Sequence, residues 1–564
     1  MTHHVAAQQV VGEIVPERRD YQQTPERLIG HVISCDGAFA VIHAGALDLD
    51  TSPDDFWSIG KLISIDVHQK RIVGMVFKMS LVEGDWAKGH PNAMRIQVEL
   101  VGEVTNDVHG RSIFDRGITT YPPLGSVAHK IRKEDLAAVH HPPHKETVVV
   151  GRLAQDHNIA AVVCVEDMLS RHFAVVGTTG VGKSTSVALL LRQILEVKPE
   201  LRVLMFDPHN EFTNAFADCA MTIDNNSLDL PFWLFQHEEL TEVVFRGRPR
   251  DEEEAGALRD LIAIAKTNYA IRRAQASGTV RRATDAGNGI TSDTPVPYKM
   301  SDLLSLIDDE IGLLESRYDR LKLRSLKNRL EALIIDPRYR FMFAARTIDD
   351  NLADVIGQVF RFPHGNQPVT VLQLAGMPSE VTNSVVSVLC RLAFDLALWG
   401  DGACEVLVLC EEAHRYVPGD ISKAFAPTRQ AIGRIAKEGR KFGAYLGVVT
   451  QRPGELDATI LSQCSTVFAM RLANDRDQEI IRSAIADSSA GTISFLSSIG
   501  NREAIAFGEG ITTPMRLKFS DMPAQYIPRA PLLEHLAHHE RRPDQPVDLN
   551  AIANRMRTMS RSVL

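Results

Sequence analysis

Gly177-Thr-Thr-Gly-Val-Gly-Lys-Ser184 spells G-x-x-x-x-G-K-S, and the stretch on either side suits that motif. His172-Phe-Ala-Val-Val176 is a short apolar strand, and Thr185 to Leu195 is a helical run without Gly or Pro. A strand, a glycine-rich turn and a helix together make a phosphate cradle. Backbone N–H groups of Gly177, Thr178, Thr179, Gly180, Val181 and Gly182 would curl round a polyphosphate, helped by the helix N-terminus and by Thr185 in its first turn. Lys183 would reach the β- and γ-phosphates, and the Ser184 hydroxyl would ligate Mg²⁺. Hydrolysis also needs a carboxylate on the metal side, a group that orients water, a γ-phosphate sensor and positive charge for the transition state. Glu405-Val-Leu-Val-Leu-Cys410 is a buried strand that ends in Glu411-Glu412. Unpaired charge is costly to bury, so two carboxylates there point to a nearby cation. Glu411 is expected on the Mg²⁺ side, through water, and Glu412 is expected to polarise the attacking water. Gln451 ends the next strand, Tyr445–Thr450, and is placed as the sensor. Arg434, Arg440 and Lys441 lie between them, as donors of charge across a subunit boundary or as an ordinary basic helix end. Asp207, after the strand Arg202–Asp207, is either a weaker metal ligand at the same sheet edge or part of an Asp-Pro turn.

The elements that must hold these residues follow from the periodicity. From 153 to 236 and from 346 to 523, short apolar strands alternate with helices, which predicts an α/β fold: a parallel sheet with helices on both faces. Residues 237–345 interrupt it with charged helical text, a helical insertion. A Gly/Ser/Thr/Arg loop is expected between Arg272 and Pro297. Ser316 to Arg329 carries six basic residues on a helical pattern, either a DNA-facing helix or a solvated one. Residues 26–152 hold many short alternating strands, the last of them Thr147–Gly151, and predict a small β-barrel suited to oligonucleotide binding or to assembly. Residues 1–25 read as an arm, and 524–564 as a tail with a short helix at 549–559 that braces a neighbour.

The chain has 564 residues, 44% hydrophobic and 24% charged, which places it among ordinary globular proteins of two to four domains. Its net charge of −9 argues against a wholly basic nucleic-acid coat, while leaving room for a basic channel. The seven scattered cysteines have no C-x-x-C spacing and fit reduced thiols of a cytoplasmic protein. The start lacks a secretory pattern, and no apolar run approaches the ~18 residues of a membrane span, so no membrane partner is expected.

The set G-T-T-G-V-G-K-S, D-P-H-N-E-F, L-V-L-C-E-E-A-H, I-A-K-E-G-R-K-F-G and T-Q-R-P-G-E-L-D-A-T-I-L-S-Q-C resembles the HerA-like branch of the HerA/FtsK ATPases. The resemblance implies a RecA-like core, a HerA-type barrel at the N-terminus, a homohexameric ring, and ATP hydrolysis coupled to translocation of double-stranded DNA. It implies a partner nuclease or effector enzyme, in DNA end processing or antiphage defence. Carried over, Lys183 and Ser184 bind phosphate and Mg²⁺, Glu412 is the catalytic carboxylate, Gln451 is the sensor, and Arg440 is the first choice of finger. Glu411 stands where such proteins usually carry Asp, and Asn210 where a Gly is common. An ATP-regulated scaffold that gathers an effector is the alternative. A monomeric P-loop kinase is a third reading, which leaves the paired glutamates and Gln451 without a shared purpose.

Overall fold

A computed structural model of the chain describes residues 29–46, 57–82, 92–140, 146–154, 156–246, 249–276, 288–343, 350–363, 365–484 and 496–529. The arm at 1–25, the middle of the 272–297 loop and the tail beyond 529, with its 549–559 helix, lie outside these residues. Two units divide the chain, Met1–Ala138 and Val139–Leu564.

The first unit is a β-barrel. Its strands are β1 (Ile29–Cys35), β2 (Phe39–Ala46), β3 (Leu62–Val67), β4 (Lys70–Leu81), β5 (Asn92–Asn106), β6 (Ser112–Asp115) and β7 (Val127–Lys130). The order β2-β1-β7-β3-β4-β5 closes on itself through a β2–β5 pairing, and β6 extends β5. Closure removes the free edges that invite aggregation. Alternate residues such as Ile42, Ile63, Ile65, Ile72, Ile96 and Val98 fill the interior.

The second unit is built on an eleven-stranded sheet. Its strands are β8 (Thr147–Leu153), β9 (Ala160–Cys164), β10 (Phe173–Val176), β11 (Arg202–Asp207), β12 (Ala220–Ile223), β13 (Val369–Gln373), β14 (Val406–Glu411), β15 (Ala444–Thr450), β16 (Thr466–Ala469), β17 (Glu503–Gly508) and β18 (Met515–Phe519). The order is β12-β13-β11-β14-β15-β10-β16-β17-β18-β8-β9. From β12 to β16 the strands run parallel, and β17, β18, β8 and β9 add an antiparallel extension. The parallel sheet expected from the sequence is present from β12 to β16 and is prolonged by the antiparallel strands. Thr147–Leu153, read with the barrel from sequence, pairs with β18 and β9 and belongs to this sheet. Alternation alone does not say which sheet a strand joins; its pairing partners β9 and β18 decide that.

Both faces of the parallel strands are buried. Val176, Leu204, Phe206, Val408, Leu446 and Val448 face one core, and Val175, Val203, Met205, Leu407, Leu409 and Val449 face the other. Near-continuous apolar strands are the signature of a sheet covered on both sides. Ser379–Trp399 is long and apolar enough to cross a bilayer, but 67% of its most apolar window is buried inside the protein. The helices of 237–345 share the first core: Leu240, Leu258, Leu261, Leu326 and Leu330 pack in the same cluster as Phe206 and Val408. The insertion is therefore laid onto a sheet face.

The basic run of the insertion forms the helix Arg320–Ile335, started by Asp319, whose side chain accepts from the Leu321 N–H. Its charges are matched locally. Lys322 pairs with Glu253 at 2.9 Å, Lys327 with Asp308 at 2.7 Å and Arg329 with Glu254 at 3.2 Å. This is a helix neutralised by its own neighbours, with Arg324 exposed.

Lys266, 1% exposed, ties the insertion together. Its ammonium donates to the carbonyls of Ser292 and Thr294, both at 2.7 Å, and of Trp233 at 3.3 Å. Burial lowers its pKa from 10.5 to about 8. Between those values the unfolded chain holds a proton that the folded protein has released, so this group makes stability rise with pH across that window. Lys266→Met is expected to abolish the rise. Denaturant unfolding of both proteins at pH 7.5 and 10 should show the parent gaining about 2–3 kcal/mol relative to the variant; parallel pH profiles would refute this.

Candidate active site

The phosphate loop is suspended from its neighbours. β10 lies between β15 and β16, the Gly177 N–H donates to the Thr450 carbonyl at 3.3 Å, and the Thr178 N–H donates to the Arg471 carbonyl at 2.9 Å. Gly180 and Gly182 have φ of 78° and 99°, a region open to glycine without strain. Gly182 caps the helix Lys183–Val197 without a side-chain hydrogen bond, and the first turn holds no acidic residue. The N–H groups of that end therefore have no carboxylate competing for them, and the dipole favours an anion there.

Lys183 is 8% exposed and donates to the Thr178 carbonyl at 3.1 Å. Burial lowers its pKa, and the charges of Glu412, Glu411 and Glu211 oppose that shift. The Ser184 hydroxyl donates to Glu211 Oε2 at 3.0 Å. Glu211 was not singled out from sequence, although it sits in the D-P-H-N-E-F stretch; the signal available was a carboxylate four residues past a buried strand. Asp207 takes the turn role instead. Its Oδ1 accepts from the His209 N–H at 3.2 Å and its Oδ2 from the Phe212 N–H at 2.9 Å. These bonds present Glu211 to Ser184, and of the two readings of Asp207 they support the turn. Asn210 has φ of 55°, the left-handed region that Gly enters most readily and Asn tolerates better than most residues. The departure at this position is conformationally silent.

Glu411 ends β14 and is 3% exposed. Burial, then the charges of Asp207, Glu211 and Glu412, push its pKa well up, with Lys183 opposing. Glu412 follows in the left-handed conformation, φ 50°, 5% exposed. Neither Glu411 Oε2 nor Glu412 Oε2 has a hydrogen-bond partner. His414 Nδ1 lies 3.3 Å from Glu412 Oε2, but its hydrogen bond, 3.0 Å long, is to Thr450 Oγ1. Burial lowers the His414 pKa, and the charge of Glu412 opposes that shift. Buried carboxylate oxygens beside a serine hydroxyl suit a hydrated divalent cation. Among the described residues no cluster of three or more His, Cys, Asp or Glu could hold a metal, and Mg²⁺ asks for fewer protein ligands because phosphate and water complete its shell. Ser184, Glu211 and Glu411 are the residues that would hold it.

A buried carboxylate crowded by three others costs folding energy that one lysine offsets only in part. Glu411→Gln is therefore expected to stabilise the nucleotide-free protein at pH 8 by about 1–2 kcal/mol while weakening Mg²⁺-dependent turnover. Thermal unfolding with and without Mg²⁺ checks this; an unchanged or lowered Tm would count against it.

Gln451 Oε1 accepts a short hydrogen bond from the Thr179 hydroxyl, which joins the sensor to the phosphate loop. Lys183, Ser184, Glu411, Glu412 and Gln451 are thus brought to one sheet edge. The arginines are not. Arg440 and Lys441 precede β15, whereas the phosphate loop follows its parallel neighbour β10. The seven residues of β15 separate the two edges by roughly 20 Å. Arg440 therefore stands a strand's length from the phosphate loop of its own chain. Arg434 lies over the Phe394 ring, 4.0 Å from its centroid, and 3.7 Å from Asp395, so it is spent on packing two helices of its own chain.

A strand–loop–helix phosphate cradle with paired carboxylates two strands away and a polar sensor between them defines a P-loop nucleoside triphosphatase. Residues 148–393 match the family described as helicase HerA, central domain. The DNA double-strand break repair helicase HerA of Pyrococcus furiosus is 27% identical over 411 residues, covering 65% of this chain and 68% of that protein. The protein of the same name from Sulfurisphaera tokodaii is 25% identical over 407 residues, covering 70% and 73%. Among solved structures, VirB4 of Thermoanaerobacter pseudethanolicus aligns with a TM-score of 0.45 at 16% identity, over 67% of this chain and 97% of that one. Across this central region the chain is similar to the HerA helicases.

Proposed function

We propose that the protein is a cytoplasmic motor that hydrolyses Mg²⁺·ATP to translocate double-stranded DNA, working as a homohexamer with a partner nuclease or effector enzyme in DNA end processing or antiphage defence. The observation that carries the chemistry is the buried edge where Lys183, Ser184–Glu211, Glu411, Glu412 and Gln451 meet. Lys183 holds the β- and γ-phosphates, Ser184 with Glu211 and Glu411 holds the hydrated cation, Glu412 takes a proton from water, and Gln451 reports the γ-phosphate through Thr179. The DNA substrate is favoured by the family, whose relatives are DNA repair helicases by name. The ring is favoured by Arg440: exposed, a strand's length from its own phosphates, it supplies charge only to a neighbour's site.

The test is ATP turnover with and without duplex DNA, and in mixtures of Arg440→Ala and Lys183→Ala subunits. DNA stimulation and partial recovery in the mixture are expected. Turnover indifferent to DNA, with Lys183→Ala leaving function intact, would favour the scaffold that gathers an effector. Mixtures no better than the sum of their parts would remove Arg440 from the site.

A further inference from the structure

The sheet order fixes which way a nucleotide lies on the loop. The γ-phosphate machinery stands on one side of β10, with Gln451 after β15 and the two glutamates at the end of β14. The phosphate chain crosses the loop, so its nucleoside end must leave on the other side, over β16, β17 and β18. Because β17 runs antiparallel to β16 and β18 antiparallel to β17, the start of β17 and the end of β18 return to the edge that carries the loop.

Two charged side chains stand there. Arg502 precedes β17 in the left-handed conformation, φ 59°, unusual for a residue with a long side chain. Its N–H donates to the Val181 carbonyl at 2.8 Å, and its carbonyl accepts from the Phe519 N–H at 2.9 Å. Its stem lies against the phosphate loop, so that a Cβ on Gly182 would meet Arg502 Cγ at 2.6 Å. Its guanidinium forms a close ion pair with Asp521, two residues past β18. The Asp521 side chain is 84% exposed. A strained backbone that seats an arginine on the phosphate loop and aims an open carboxylate beside it is more than surface decoration.

We propose that the Arg502–Asp521 pair is the sugar end of the nucleotide site. With a nucleoside phosphate on the loop, Asp521 accepts hydrogen bonds from the ribose hydroxyls, and Arg502 holds that carboxylate beside Gly182. The pair makes the protein select ribonucleotides over deoxyribonucleotides. The inference rests on the nucleotide reading of the loop.

Equilibrium binding of ADP, 2′-deoxy-ADP, 3′-deoxy-ADP and inorganic tripolyphosphate, each with Mg²⁺, tests both. The parent is expected to prefer ADP to at least one deoxy analogue by about tenfold, the order expected for a hydrogen bond to a charged group. Asp521→Ala should lose that preference by weakening ADP alone, with tripolyphosphate unchanged. Equal binding of all three nucleotides by the parent overturns the proposal. So does an Asp521→Ala protein that loses tripolyphosphate and ADP alike, since the pair would then merely brace the loop. A parent that binds neither ADP nor tripolyphosphate, or a Lys183→Ala protein that binds both as the parent does, overturns the nucleotide reading itself.

Discussion

The Glu412→Gln protein is expected to bind Mg²⁺·ATP about as tightly as the parent and to hydrolyse it roughly 10²–10⁴ times more slowly. The carboxylate is 5% exposed, its Oε2 lacks a hydrogen-bond partner, and its backbone sits at φ 50°. A glutamate in that conformation is strained, and such strain persists where the surroundings fix it. The neighbouring His414 is hydrogen-bonded to Thr450 Oγ1, which leaves the Glu412 oxygen open to water. The amide keeps the shape and cannot take a proton. Single-turnover hydrolysis beside nucleotide binding separates the two steps. Near-parental turnover would remove Glu412 from the reaction, and lost binding would mean that it serves the metal.

Lys183→Ala is expected to cut turnover by about 10²–10³ and to weaken triphosphate binding, since it removes a charge aimed at the β- and γ-phosphates. It should also act without nucleotide. Lys183 is the cation that opposes the upward shift of the buried Glu411, and it feels Glu411, Glu412 and Glu211 together. Its loss leaves three carboxylates sharing one edge, so the empty variant should unfold about 1–3 kcal/mol more easily than the parent. Adding Glu411→Gln to it should return part of that loss. Additivity of the two changes would show that they do not interact.

The α/β core was legible from its alternating strands and helices, and so were the positions at the strand ends; the long-range pairings were not. The phosphate loop, Glu411, Glu412 and Gln451 lie at strand ends, where local sequence decides the conformation, and the fold brings them to one edge. Glu211 was hidden because its role depends on the turn held by Asp207 and on Asn210, neither of which carries periodicity. Arg434 and Arg440 read alike as basic residues of one helix end; only strand direction and the ring of Phe394 separate them. Thr147–Leu153 alternates like a barrel strand, and its partners β9 and β18 are set by long-range pairing that no window of sequence contains. Arg502, just before β17, and Asp521, just past β18, are 19 positions apart, so their pairing also had no local signal.

The last described residues carry one more consequence. The Tyr526 ring lies under the Arg192 guanidinium, 3.7 Å away, and the Arg529 N–H donates to the Glu211 carbonyl at 2.9 Å. The chain that leads away from the core is thereby fastened to the residue that meets Ser184. Thermodynamic linkage bounds what this fastening can transmit: about 1 kcal/mol for the hydrogen bond and a similar amount for the ring contact. Any factor of up to roughly thirty by which the anchored chain end favours ligand at Glu211 must be returned, by reciprocity, as slower exchange of the Arg529 amide when ligand is present. The segment around Tyr526 and Arg529 is in that sense a gauge of the site, with its full scale set by two weak contacts.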